Sequence, residues 1–170
     1  MRPDEDANDV KIRPYEEADV PQISRLYFNT IRRVNARDYS PQQIRAWAPM
    51  IHSSAYWMER FRKRRAYVAE YQDEIVGFVE YAPPGHIDCF YVHHAHQDQG
   101  IGTALMEYVE SEARHAGTNR LYAEVSLTAH PFFERRGFSV IEEKETEYGG
   151  VSFRLYLMEK YLSVQRGPAP

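Results

Sequence analysis

Hydrophobic and polar positions along the chain follow two different periods. Runs of aromatic and β-branched residues bounded by turn residues predict seven strands, at 10–15, 66–71, 74–81, 87–92, 120–126, 138–147 and 151–161. Apolar residues recurring at helical spacing predict two or three helices before the second strand and two later ones, at 20–34, 40–48, 54–65, 100–115 and 128–136. The pattern therefore predicts an α/β protein.

The centre of this pattern is the stretch 86–104, HIDCFYVHHAHQDQGIGTA. It predicts a strand, a polar loop and then a helix that begins at Gly100. A strand, a helix and a further strand place two parallel neighbours in one sheet, whereas the hairpins elsewhere are antiparallel. We therefore expect a mixed sheet.

The start of this helix has the features of an anion site. The first amides of a helix have no partner inside the helix, and they lie at the positive end of its dipole. Gly100 and Gly102 would let a phosphate approach this backbone. A Walker loop would need lysine where Thr103 follows Gly102, and a dinucleotide fingerprint would need glycine where Leu105 stands. Neither motif fits.

A third motif fits. The spacing Gln97-x-x-Gly100-x-Gly102, directly after a strand, resembles the pyrophosphate loop of the GCN5-related N-acetyltransferases. The segment AHPFFERRGF at 129–138 is similar to that family's Ala-x-x-Phe-Tyr-Glu-Lys-x-Gly-Phe, at the expected distance after the loop. The resemblance covers about 10–162, and the segment NARDYS at 35–40 resembles the YafP-like branch.

The resemblance implies a mixed, mostly antiparallel seven-stranded sheet with a β-bulge in its central strand, flanked by helices. The residues of the strand point the same way. Ile87 and Phe90 are both expected to be buried, yet they differ in parity, and a bulge near Asp88 and Cys89 would reconcile them.

The implied activity is acetyl-CoA-dependent transfer of an acetyl group to a primary amine by direct attack in a ternary complex. A small-molecule acceptor is expected over a protein. A coenzyme-binding or interaction module without catalysis is the alternative.

The resemblance also assigns the coenzyme contacts. Loop amides would hold the pyrophosphate, an amide at the end of the strand would polarise the thioester carbonyl, and Phe133 would pack against the pantetheine arm. The implied residues are Tyr91 or Val92, Gln97, Gln99, Gly100, Ile101, Gly102, Thr103 and Phe133. Asp98 puts a negative charge where the family often has a basic residue.

Two residues are candidates for the base. His86 falls where several family members carry a glutamate, and its ordinary pKa of about 6.5 suits proton removal near neutrality. Alternatively, His86 merely follows the Pro-Pro-Gly turn. Asp88 is the second candidate and could act through a water. Two further carboxylates, Glu80 and Glu124, are expected to be ordinary strand charges.

The sequence departs from the family pattern at the general acid that would protonate the leaving thiolate. The position that usually holds a tyrosine holds Phe133. Either another hydroxyl reaches the sulfur, with Ser126, Tyr148 and Tyr156 as candidates, or the thiolate leaves unprotonated.

The acceptor would meet other side chains. The basic side chains within 60–65 form either a solvated face or a contact with an acidic substrate or coenzyme phosphate. Candidate acceptor-lining aromatics are Tyr39, Trp47, Trp57, Tyr148 and Tyr156.

Composition narrows the remaining choices. The 170 residues suit one domain, and a net charge of −4 argues against nucleic-acid binding. The histidines at 93, 94 and 96 and Asp98 match no closed zinc motif, so we expect no metal. A single cysteine, an acidic segment 1–9 unlike a signal peptide and the lack of a long apolar run favour a cytoplasmic protein without a membrane partner. We expect a monomer or homodimer, with disordered ends at 1–9 and 163–170.

Overall fold

The computed structural model of the chain describes residues 9–163. The disorder expected at the two ends concerns residues that, apart from Asp9 and Ser163, lie outside this range. The strands are β1 (Lys11–Pro14), β2 (Arg65–Tyr71), β3 (Glu74–Ala82), β4 (His86–Val92), β5 (Arg120–Ser126), β6 (Ser139–Tyr148) and β7 (Val151–Tyr161). The helices are α1 (Val20–Arg33), α2 (Pro41–Trp47), α3 (Ser54–Lys63), α4 (Ile101–His115) and α5 (His130–Arg135).

All seven strands form one sheet in the order β1-β2-β3-β4-β5-β7-β6. The β4–β5 pair is parallel because α4 crosses over between these strands, and the other neighbouring pairs are antiparallel. The predicted mixed, mostly antiparallel seven-stranded sheet is therefore confirmed.

The predicted bulge lies in β4. Val79 pairs with Phe90 and Tyr81 pairs with Ile87, so one residue of β3 faces two residues of β4, Asp88 and Cys89. The bulge turns β4 away from its other neighbour. Pairing between β4 and β5 is confined to two positions near their N-terminal ends, and beyond them the strands diverge.

Helices cover both faces of the sheet. On one face, Leu105 of α4 is fully buried, and a Cβ on Gly77 of β3 would lie 3.0 Å from its Cδ1. Glycine at this position thus lets α4 lie close to the sheet and fixes where its N-terminus falls. On the other face, Ile23 of α1 and Trp57 of α3 pack with Phe78 in a second buried cluster.

Serine side chains cap two of the helices. Ser40 Oγ accepts from the Gln43 N–H, and Gln43 Oε1 accepts from the Ser40 N–H, which forms a capping box at the start of α2. At the start of α3, the capping residue is Ser53, whose Oγ accepts from the Tyr56 N–H.

Candidate active site

A cavity of about 880 Å³ opens where β4 and β5 diverge. One side is formed by the loop before α4, the first turn of α4 and α5. The other side is formed by α1, the segment from α2 to α3, the β4 bulge and the β6–β7 hairpin. We refer to these as the coenzyme side and the acceptor side. The predicted coenzyme residues that line the cavity are Tyr91, Val92, Gln97, Gly100, Ile101, Gly102, Thr103 and Phe133.

The coenzyme side presents free main-chain donors. Gly100 has φ +81°, which favours glycine, and it caps α4. The first bond of the helix runs from the Ala104 N–H to Gly100 O at 3.0 Å. Within residues 9–163, no backbone carbonyl outside the regular elements accepts from the amides of 101–103. These three donors and the helix dipole are the features from which the sequence predicted an anion site.

Gly102 is constrained by its neighbours. A Cβ at this position would lie 3.1 Å from Cε2 of Phe132 on α5. The small residue therefore lets the first turn of α4 pack directly against the segment that carries the second family motif. Of the predicted loop residues, Gln99 does not line the cavity.

Gln97 braces the loop. Its Nε2 donates to Val92 O at 2.7 Å, and Thr30 Oγ1 of α1 donates to the same carbonyl at 3.2 Å. The side chain thus ties the loop to the end of β4. Its polar group is engaged with protein, so its contribution to a ligand is to hold the loop in place.

The ladder between β3 and β4 determines which amides of β4 can reach a ligand. The His93 N–H donates to Val76 O at 2.8 Å, and Tyr91 lies opposite Phe78. Hydrogen bonding in an antiparallel ladder alternates from residue to residue. Tyr91 therefore directs its N–H toward β3, whereas Val92 directs its N–H toward the gap. Of the two predicted amides, the geometry favours Val92, and Tyr91 lines the cavity with other atoms.

Phe133 lies at the floor of the cavity and is 2% exposed. Its ring packs 5.7 Å from that of Phe90 and 5.0 Å from that of Phe138. Two of the three candidate hydroxyl groups, those of Ser126 and Tyr148, belong to residues that line the cavity. The third residue, Tyr156, does not line it and packs against His130 on α5.

His86 lies outside the lining of the cavity. Its ring stacks on Tyr122 of β5 at 5.0 Å and 15°, at the place where β4 and β5 are still paired. Its position gives no support to the predicted role as the base. The role was inferred from distance along the chain, which does not include the direction in which the side chain leaves the strand.

Asp88 does line the cavity, within a network of four charges. Arg60 Nε and Nη2 donate to the two carboxylate oxygens of Glu80 at 2.9 and 2.7 Å. Arg60 and Arg64 also both donate to Asp88 Oδ2. Glu80 is fully buried and faces the bulge. The network thus fastens α3 to the irregular part of β4.

One expectation from the sequence is wrong here. Glu80 is not an ordinary strand charge, since it is fully buried. The basic segment divides between its alternatives: Arg62 and Lys63 lie on a solvated face, whereas Arg60 and Arg64, 27% and 30% exposed, pair with carboxylates of the protein. The available signal was the position of Glu80 inside an apolar strand, because a carboxylate buried there needs a cationic partner. The sequence did not show that this partner comes from α3.

Glu80, Asp88 and Cys89 bring three potential metal-binding atoms within 4.8 Å of one another, a grouping that the sequence analysis did not single out. Arg60 donates to both carboxylates, so its guanidinium already occupies the space between them. Burial raises the pKa of the Cys89 thiol well above its ordinary value, so the thiol stays protonated near neutrality.

The acceptor side is rich in aromatic rings. Tyr39, Trp47 and Tyr148 line it, as predicted, whereas Trp57 is fully buried in the core. Other residues that line this side were missed: Tyr27, His52, Tyr56 and Phe153. Tyr27 and Phe153 occur in periodic apolar patterns that could equally well be core, and His52 lies in a segment without periodicity.

Comparison with known proteins assigns the class. The profile of the Acetyltransferase (GNAT) domain matches residues 35–161, and the chain belongs to this family. It is an acetyl-CoA-dependent N-acetyltransferase.

The chain is 31% identical over 152 residues to an uncharacterised N-acetyltransferase, YafP, of Escherichia coli strain K12, covering 89% of this chain and 95% of that protein. This agrees with the branch suggested by the segment 35–40.

Solved structures agree in fold. A GCN5-related N-acetyltransferase from Rhodopseudomonas palustris superposes with a TM-score of 0.85 at 29% identity, covering 89% of this chain and 95% of that one. The PaiA N-acetyltransferase from Thermoplasma acidophilum, crystallised with coenzyme A, superposes with a TM-score of 0.73 at 18% identity, covering 90% and 99%. Across residues 9–163, no helix combines the length and hydrophobicity required to cross a bilayer.

Proposed function

We propose that this protein transfers the acetyl group of acetyl-CoA to the primary amine of a small-molecule acceptor by direct attack in a ternary complex. The observation that carries the proposal is the set of unbonded amides at 101–103, which lie beside the gap between β4 and β5 within one cavity. A thioester attached to a pyrophosphate matches both features.

The coenzyme would lie along the coenzyme side. The amides of Ile101, Gly102 and Thr103 bind the pyrophosphate, and the pantetheine arm enters the gap, where it packs against Phe133. Val92 N–H donates to the thioester carbonyl and stabilises the negative charge that develops on its oxygen. The reaction needs no acetyl-enzyme, and the high pKa of Cys89 makes its thiol a poor nucleophile.

The acceptor would enter between the helices and the β6–β7 hairpin. Its nitrogen attacks the carbonyl carbon, the carbon–sulfur bond breaks, and the coenzyme leaves as a thiolate. Asp88 retains one oxygen beside the two guanidinium groups that contact Oδ2, and this oxygen is suited to hold the cationic amine before it loses its proton. Tyr148 is the candidate to protonate the thiolate, in place of the hydroxyl that Phe133 lacks.

A small acceptor is favoured because the aromatic walls come from several segments of the chain, and together they enclose the acceptor side as a cavity. The net charge of −4 favours a cationic partner.

The test combines two measurements. Calorimetry with acetyl-CoA measures binding, and a thiol-release assay over a panel of amines, with a hydroxyl compound and a lysine peptide included, measures transfer. Amine-dependent thiol release with small acceptors is the expected result. Binding without amine-dependent release anywhere on the panel would instead indicate the coenzyme-binding module. Release with the lysine peptide alone would contradict the small-molecule acceptor.

A further inference from the structure

One basic side chain on the acceptor side is not engaged by other protein groups. His52 lies between α2 and α3 and lines the cavity. Its ring stacks on that of Tyr56 at 4.0 Å and 18°, and it contacts the ring of Tyr27 at 5.9 Å. Among the described residues, the hydrogen bond of His52 is made by its carbonyl, which accepts from Ser24 Oγ at 2.6 Å, and not by its ring.

Several other groups around the cavity that could accept a proton contact protein groups or, like Asp98 and His96, lie on the coenzyme side. Glu124 Oε1 accepts from Lys144 Nζ at 3.1 Å. His96 Nδ1 lies 3.4 Å from Gln99 Oε1, on the coenzyme loop. Asp88 Oδ2 accepts from Arg60 of α3 and from Arg64, the residue that follows α3. The ring of His52 therefore has a basic nitrogen available on the side where an acceptor would lie.

The ring of His52 is also held in a defined place relative to β4. Tyr27 of α1 contacts His52 on one side and Tyr91 on the other, with 5.0 Å between the two tyrosine rings. A single aromatic ring thus separates His52 from the end of the strand whose neighbouring amide faces the thioester. The bond from Ser24 anchors the backbone of His52 to the same helix.

We propose that His52 is the general base that removes the proton from the acceptor's ammonium group before attack. This rests on the proposed function. The proton moves from the acceptor nitrogen to a ring nitrogen, and the freed lone pair forms the bond to the thioester carbon. After attack the nitrogen loses its second proton as the carbon–sulfur bond breaks, the thiolate takes up one proton, and the ring returns its own proton to solvent. Nothing else is consumed.

The surroundings of His52 suit this role. Burial and the positive charge of Arg60 lower the pKa of the ring below its ordinary value, so the ring is neutral at pH 7 and can accept a proton. The titratable groups that face it are Tyr27 of α1 and Tyr56 and Arg60 of α3, of which only the arginine is charged near neutrality. As pH falls through this lowered pKa, the ring becomes protonated and transfer should slow.

The experiment compares His52→Gln with His115→Gln, which removes an exposed histidine whose Nδ1 contacts Ser111 O at the far end of α4. We expect His52→Gln to lower kcat/KM for the acceptor about 100-fold, within the range typical of a general base, and to abolish the acid limb of the pH profile. Affinity for acetyl-CoA should not change. The control should keep both the rate and the limb.

If His52→Gln keeps the kcat/KM of the unmodified protein and the acid limb of its pH profile, the proposal is overturned. So would a limb that persists in His52→Gln but disappears in His86→Gln. If His52→Gln does not fold, His52→Asn takes its place.

A separate measurement keeps failure of this inference distinct from failure of the proposed function. Nuclear magnetic resonance titration of the imidazole signals in the acetyl-CoA complex should show that the signal lost in His52→Gln, and kept in His115→Gln, belongs to a ring with a pKa below the ordinary value of about 6.5. A His52 ring that titrates above that value overturns the assignment, whether or not any amine on the panel is acetylated.

Discussion

On the coenzyme side of the cavity, the unbonded polar groups are main-chain amides of residues 101–103, whereas the acceptor side is lined by side chains from helices, a bulge and a hairpin. Main-chain donors at a helix start need only glycines at the right spacing. Side chains must instead be brought together from distant parts of the chain. In the proposed function, the first arrangement would hold the pyrophosphate that every acyl-CoA shares, and the second would be adapted to one acceptor.

The sharpest way to break this comparison is to fill the anion site. Gly100→Glu places a carboxylate beside the loop amides and a side chain at φ +81°. We expect affinity for acetyl-CoA to fall at least about 100-fold, measured by calorimetry, since every phosphate contact is affected. Gly117→Glu is the control, because that glycine also has positive φ and open space but lies beyond the other end of α4. Equal losses in both variants would show a general effect on folding.

The network under the acceptor side should matter first for stability. Glu80→Gln leaves Arg60 with Asp88 alone as an anionic partner at a partly buried site. We expect unfolding in urea to show a loss of about 3 kcal/mol, since removing one partner of a buried ion pair is costly. The exposed pair of Glu143 and Arg154 provides the control. Glu143→Gln should cost less than about 1 kcal/mol. A similar cost for both variants would mean that the buried network is replaceable.

Phe133 lies where the two sides meet, and Phe133→Tyr restores the hydroxyl that the family pattern places there. If protonation of the thiolate limits the rate, kcat should rise about tenfold, a modest part of what a well-placed acid supplies. Phe138→Tyr is the control, because its ring is equally buried and contacts Phe133 but does not line the cavity. An unchanged kcat in Phe133→Tyr, with the fold intact by circular dichroism, would show that the thiolate leaves without this help.

The smallest expected effect concerns how α2 is held. Ser40→Ala removes the Oγ acceptor of the capping box and should cost about 1 kcal/mol in thermal unfolding. Affinity for acetyl-CoA should remain the same, because α2 is on the acceptor side. A change in coenzyme affinity would show that the two sides of the cavity are coupled, although different segments of the chain form them.

The same contrast explains what could be predicted. The succession of strands and helices along the chain and the bulge follow from periodicity and parity within single segments, and the structure agrees with them. The loop at 97–103 was found by its resemblance to a family motif. The partnership of Glu80 with Arg60 and the exposure of His52 to the cavity depend on how α3 packs against β3 and β4. Hydrophobic periodicity says which face of α3 is buried but not which charge its arginines will meet. The direction of the His86 ring, which stacks on Tyr122 of β5, was hidden from the sequence in the same way.

The two-residue seam between β4 and β5 has a mechanical consequence. It joins the four strands β1 to β4 to the three strands β5, β7 and β6. Among the residues of β4, His86 and Ile87 are the ones paired with β5. Two parts of a sheet that are joined at one end can move relative to each other about that end. A pantetheine arm wedged between them would stop that movement, so amide hydrogen exchange in β5 should slow when the coenzyme binds, even at residues that never touch it.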